Sequence, residues 1–154
     1  MDNNIIIEKM TLEDLDSISS ILETEFDNFW NYNILKNEIE NENSKLIIAK
    51  LNNEIIGFAG ISIVLDTAEL TNIVIKKNYR GNGFSSILLK YLIDLAKNNN
   101  CEFLNLEVNC TNYIALHLYE CFGFKQVGLR KNYYNEQDAI LLTLGLNRNI
   151  SSLQ

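Results

Sequence analysis

The run Arg80-Gly81-Asn82-Gly83-Phe84-Ser85, set between an apolar strand and an amphipathic helix, restricts this chain more than any other feature. Upstream, roughly Ala68 to Lys76 reads as a strand. Downstream, Ser85 to about Asn98 puts Leu88, Leu92 and Leu95 on one helical face and Lys90, Asp94 and Lys97 on another. Phe103 to Val108 then reads as a second strand. A strand, a helix and a strand in that order make a crossover, so two neighbouring strands are expected to run parallel. The glycines let the backbone curl until successive N–H groups point inward, and the helix N-terminus adds partial positive charge. Together they suit a pyrophosphate, with Lys76, Lys77 and Arg80 as a local basic cluster. A GxxxxGK(S/T) phosphate loop is absent, and a dinucleotide fingerprint would need Gly or Ala where Ser86 stands. On spacing alone, a Gly-rich turn that merely feeds a helix remains an equal account.

The rest of the chain fits around this unit. Ile5 to Glu8 reads as a first strand, and Thr11 with Asp14 marks a helix start. Leu15, Ile18, Leu22 and Phe26 recur at helical spacing, and a second helix runs from Ile34 to about Glu40. Lys45 to Leu51 and Glu54 to Leu65 are strands joined by the tight-turn pair Asn52-Asn53. Asn112 to Cys121 is helical, and closing strands lie near Lys125 to Tyr133 and Ala139 to Leu146. The order β-α-α-β-β-β-α-β-α-β-β is mixed α/β. Residues 1–154 are expected to form one domain, since no long linker or repeat interrupts them and the length can bury a full core.

Composition excludes some classes of function. A formal net charge of -7 argues against general nucleic-acid binding, which needs a broad basic surface. No apolar run approaches the length of a membrane span, and MDNNIIIEKM has neither the basic nor the long apolar region of a signal peptide. Cys101, Cys110 and Cys121 are an odd set without CxxC spacing, more simply reduced thiols of a cytoplasmic protein than a disulfide framework. His117 is the one histidine, so no multi-His metal site is expected, and it reads as a surface residue.

The segment Asn72 to Leu89, NIVIKKNYRGNGFSSILL, resembles the coenzyme A signature of the GNAT acetyltransferases, Q/R-x-x-G-x-G/A, with Arg80 first, Gly83 fourth and Ser85 last. Leu106 to Asn112 (LEVNCTN), Leu118 to Phe124 (LYECFGF), Asn132-Tyr133-Tyr134 and the closing DAILLTLGL resemble the RimI-like, ribosomal-protein-alanine branch. Where that branch usually carries Pro-Trp, this chain reads Phe29-Trp30. The resemblance implies a GNAT fold: a mixed, mostly antiparallel sheet of six to seven strands, a central parallel pair and flanking helices. It also implies acetyl-coenzyme A as cosubstrate, no metal, and direct attack by an amine that enters opposite the cofactor. Residues Arg80, Gly81, Asn82, Gly83, Phe84, Ser85 and Ser86 would bind the pyrophosphate. The backbone at Ile73, Val74 and Ile75 would take the acetyl and pantetheine portions, with Asn112 as a further cofactor contact. The implied acceptor is a protein N-terminus, that of a small-subunit ribosomal protein, in the cytoplasm, without direct binding of nucleic acid or membrane.

Acetyl transfer to an amine poses two proton problems: the amine must lose a proton, and the departing thiolate benefits from gaining one. Glu107 projects with Phe103 and Asn105 from the strand face opposite Leu104, Leu106 and Val108. A solvent-facing strand residue is the plain reading, and the resemblance makes Glu107 the general base. Tyr119 lies on the helix from Asn112, where Ile114, Leu118 and Cys121 mark the expected buried side and Tyr119 its margin. A packed aromatic is the plain reading there, and the resemblance makes Tyr119 the general acid. Glu69, Trp30 and Tyr133 are candidate acceptor-side residues, with structural or packing roles equally open. Two rivals stand beside this reading: an N-acetyltransferase for polyamines or aminoglycosides, and a non-catalytic acyl-coenzyme A sensor.

Overall fold

In the computed structural model, which describes residues 4–134 and 137–146, β1 (Ile5–Lys9) leads into a helix that starts as its sequence dictates. The Thr11 hydroxyl accepts from the Asp14 N–H at 3.1 Å, and the Asp14 carboxylate accepts from the Thr11 N–H at 2.9 Å. This reciprocal cap opens α1 (Leu12–Ile18). Leu15, Ile18, Leu22 and Phe26 are all buried, but they do not share one α-helix as their spacing suggested. After Ile18 the chain tightens into a 3-10 turn at Ser19–Ile21 and widens into a π turn at Leu22–Phe26, closed by Asp27 N–H to Leu22 O. An overwound turn followed by an underwound one leaves the apolar side in phase, which is why the pattern looked unbroken.

Next come α2 (Tyr32–Glu40), β2 (Ser44–Leu51), β3 (Glu54–Val64) and β4 (Thr67–Ile75). Asn52 and Asn53 both have positive φ, 52° and 69°, the conformation a two-residue hairpin turn demands. The 15-residue α3 (Phe84–Asn98) follows the glycine run, then β5 (Phe103–Asn109), α4 (Tyr113–Cys121), β6 (Lys125–Tyr134) and β7 (Gln137–Gly145). The seven-stranded sheet has the order β1-β2-β3-β4-β5-β7-β6. Its pairs β1/β2, β2/β3, β5/β7 and β6/β7 are antiparallel. The expected parallel pair is β4 with β5, from Thr67↔Phe103 to Glu69↔Asn105.

The chain forms two compact units. One holds the residues up to Ser62 with Thr71–Leu92. Its core gathers Met10, Leu15, Leu22, Phe26, Leu35, Ile48 and Phe58, all essentially without solvent contact. Burying each large apolar side chain of this kind contributes about 1.5–3 kcal/mol. The other holds Ile63–Leu70 with the chain from Ile93 onward, and buries Leu104, Leu106, Val108, Tyr119, Phe124 and Leu142. Among the described residues no helix is long and apolar enough to cross a membrane.

Candidate active site

The glycine run lies in the first unit, between a 3-10 turn (Lys77–Tyr79) and α3. Gly81 and Gly83 have φ of +80° and +83°, a region that ordinary residues enter only with strain. A Cβ at either would meet nothing within 4 Å, so the loop keeps open space beside its backbone. The first N–H groups of α3 have no intrahelical partner, which suits this opening to an anionic group. Asn82 braces the loop from within, its amide donating to Tyr79 O at 3.0 Å and Arg80 O at 3.3 Å.

Two members of the basic cluster, Lys76 and Arg80, also have partners within the protein. Lys76 Nζ lies 2.6 Å from Glu54 Oε2 and 3.3 Å from Glu25 Oε1, and Tyr79 donates to Glu54 Oε1 at 2.7 Å. The bond to Glu54 holds the Lys76 pKa above its usual value, and the same bond, followed by that from Tyr79, holds Glu54 below its own. Arg80 uses its guanidinium as a clamp: Nε donates to Ile75 O at 2.7 Å and an Nη to Phe26 O at 2.6 Å. These bonds tie the glycine run to the end of β4 and to the end of the π turn, three residues before Phe29. Val74 and Ile75 are buried, Ile73 partly so, and Lys76 N–H donates to Ile56 O at 2.7 Å. Trp30 is half-buried with its ring edge-on to Phe29 at 5.0 Å, and packs against the core.

The first unit also holds a group the sequence did not single out. Glu38 Oε1 accepts from Thr71 Oγ1 at 3.2 Å and Asn72 Nδ2 at 3.4 Å, next to Ile73. Burial raises the Glu38 pKa above the usual carboxylate value. Asn72 is 5% exposed, and its Oδ1 has no hydrogen-bond partner.

Both proposed proton-transfer groups lie in the second unit. β5 alternates as expected, with Leu104, Leu106 and Val108 buried and Asn105 and Glu107 on the opposite face. Asn105 Nδ2 donates to Glu69 Oε2 at 3.4 Å, so Glu69 neighbours Glu107 through the intervening asparagine. Glu107 itself is ion-paired, its Oε2 standing 3.0 Å from an Nη of Arg130 on β6. Sequence reasoning passed over Arg130.

Tyr119 is 5% exposed, whereas Ile114 is 87% exposed and Cys121 also faces solvent. Tyr119 is the one fully buried residue of α4, with Ala115, Leu116 and Leu118 half-buried beside it, so the inward side is shifted from the one that Ile114 suggested. The helix end fixes this tyrosine. Phe124 N–H bonds Tyr119 O at 3.0 Å, Gly123 N–H bonds Glu120 O at 2.9 Å, and Gly123 has φ +97°. This is a Schellman termination, and its accompanying apolar contact is Tyr119 against Phe124, with ring centroids 5.5 Å apart. Desolvation pushes the Tyr119 phenol up to about 12, so it carries its proton at neutral pH. Asn112 caps α4 by accepting from Ala115 N–H at 3.2 Å, which occupies its side-chain oxygen. Tyr133 lies on β6, with its side chain outside the described residues. His117 is exposed, with Cys121 Sγ at 3.5 Å.

The Acetyltransferase (GNAT) family profile matches residues 12–124, through the glycine run, β5 and α4. The chain belongs to the GNAT family of acetyltransferases. It is an acetyl-coenzyme A-dependent N-acetyltransferase with relatives in the RimI-like, ribosomal-protein-alanine branch. It is 33% identical over 150 residues to a Bacillus subtilis protein carried as a candidate ribosomal protein bS18-alanine N-acetyltransferase, covering 96% of this chain and 99% of that one. The crystal structure of the ribosomal-protein-S18-alanine N-acetyltransferase of Escherichia coli matches this acetyltransferase with a TM-score of 0.83 and 30% identity. That match covers 92% of this chain and 94% of the other. A GNAT family acetyltransferase from Elizabethkingia anophelis, solved with acetyl-coenzyme A bound, matches with a TM-score of 0.73 and 26% identity, over 94% and 100% of the two chains.

Proposed function

We propose that this acetyltransferase modifies the N-terminal α-amine of a protein, with the N-terminal alanine of ribosomal protein bS18 as the acceptor. One observation carries the reading. The similarity to a Bacillus subtilis relative carried as a candidate for that reaction runs over 96% of the chain, well beyond the glycine run. Residues 80–86 would hold the pyrophosphate, the Ile73–Ile75 backbone the pantetheine, and the bound cofactor would supply the activated acetyl thioester. The open space beside Gly81 and Gly83 fits that role. Glu107 would accept the proton of the attacking amine, and Tyr119 would hold one for the departing sulfur. Trp30, Glu69 and Tyr133 are the acceptor-side candidates.

An α-amine has a pKa of about 8 and a lysine amine about 10.4, so freeing the lysine nucleophile at neutral pH costs roughly 3 kcal/mol more. A site with one carboxylate base should therefore prefer N-terminal amines. A peptide that begins with Ala and continues with arginines is expected to gain one acetyl group on its α-amine, located by mass spectrometry. Blocking that amine should abolish the reaction even with lysines present. Acetylation of lysine alone, or rapid turnover of spermidine with none of the peptide, would put the small-molecule reading in its place.

A further inference from the structure

The register of the last three strands explains how Arg130 reaches Glu107. β7 lies between β5 and β6. Glu107 is opposite Leu141, which is opposite Gly128, while Arg130 is opposite Ala139, which is opposite Asn109. Directly paired residues share a face, so Glu107, Leu141, Ala139, Gly128 and Arg130 all project from the same side. To meet Glu107, the guanidinium must cross β7, two strand spacings or about 9–10 Å of sheet. Small residues line that crossing. Ala139 offers no atom beyond its Cβ, and Gly128 leaves room for Leu141, whose Cδ1 would stand 2.9 Å from any Cβ placed there. The far end of the path is anchored too, since Asn132, with φ 56°, donates its N–H to Asp138 Oδ1 at 3.0 Å.

We propose that Arg130 is a positioning residue for catalysis: it holds Glu107 by Oε2 and leaves Oε1 to take the proton of the acceptor amine. This rests on Glu107 being the base. The side chains are 54% and 29% exposed, and ion pairs so open to water add little to stability. The consequence of the pair is therefore orientation. A glutamate has several rotamers of similar energy, and a guanidinium at 3.0 Å selects the one that meets it before the acceptor arrives. Misplacing a reacting group by an ångström costs on the order of 10²-fold in rate.

A double-mutant cycle tests the proposal, with the full chain, acetyl-coenzyme A and the Ala-Arg peptide. Arg130→Met keeps the length of the stem and removes the charge. It is expected to lower kcat by about 10–10²-fold while acetyl-coenzyme A affinity and the melting temperature stay near parental values. Arg130→Lys should recover part of the loss, because an ammonium pairs with a carboxylate but without the planar fork. The decisive comparison is on the Glu107→Gln background, where Arg130→Met should cause no further loss. If the two losses multiply instead, Arg130 acts through something other than Glu107 and the proposal is wrong. If Glu107→Gln alone turns over at a near-parental rate, the assignment of the base fails and this proposal fails with it, an outcome plainly different from the multiplied loss. Should Arg130→Met melt early, Arg130→Gln, which also removes the charge, carries the same comparison in a folded protein.

Discussion

At the scale of single residues, Tyr119 carries a tension between burial and acidity. A phenol held at about 12 is a weaker acid than a thiol, which titrates at about 8.5. In the proposed role it would contribute a hydrogen bond to the sulfur as negative charge develops there, without complete proton transfer. Removing one such donor costs roughly 10²–10³-fold in kcat. Tyr119→Phe is expected to show that loss in single-turnover kinetics, with acetyl-coenzyme A affinity hardly changed. A near-parental rate would remove the tyrosine from the chemistry. The same shift has a consequence for stability. The folded-state pKa, about 12, lies above the unfolded value near 10, so the contribution is present in full below pH 10 and is lost as pH rises toward 12. A separation of about two pKa units corresponds to on the order of 3 kcal/mol. Between pH 9 and 12 the parent should therefore lose denaturant stability faster than Tyr119→Phe, and parallel curves would contradict the burial argument.

At the scale of elements, how helices begin and end fixes the local geometry of two of the candidate segments. The glycine run holds two left-handed residues immediately before α3, and α4 stops in a Schellman turn that presses Tyr119 against Phe124. Gly83 allows a test that separates strain from obstruction. Valine at φ +83° is strained by at least about 1–2 kcal/mol, whereas asparagine tolerates that conformation. Both put a side chain into the open space beside the loop. Gly83→Val and Gly83→Asn are both expected to weaken acetyl-coenzyme A binding in calorimetric titration, and only the valine variant should melt appreciably lower. Parental affinity in the folded asparagine variant would mean that the phosphates bind elsewhere.

At the scale of the whole molecule, the charge of -7 favours a basic acceptor, and the proposed peptide is basic after its first residue. Such attraction is screened over about 8 Å at physiological ionic strength. Raising salt from low to physiological should therefore increase the KM for the Ala-Arg peptide with little change in kcat. A neutral peptide beginning with Ala should show no comparable increase. An equal response of both peptides would remove long-range steering from the account of acceptor choice.

The strands and helices were legible because their signals are local. Alternation exposed the Glu107 face of β5, Asn52-Asn53 announced a hairpin, and Thr11 with Asp14 announced a helix cap. The motif blocks gave the family for the same reason, since each is a short contiguous run. Side-chain partners were not legible. Lys76, Lys77 and Arg80 stand out in the sequence as neighbouring cations, but nothing local announces that Lys76 meets Glu54 and Glu25 or that Arg80 donates to the carbonyls of Ile75 and Phe26. Ile114 misled the phase of α4 because an apolar residue reports a tendency to bury, and the fold left this one in water. Arg130 was invisible as a partner of Glu107 because their meeting depends on β7 lying between β5 and β6. Propensity and periodicity act over a few residues and so belong to the sequence, whereas a guanidinium's choice among carboxylates depends on which strands the folded chain sets side by side.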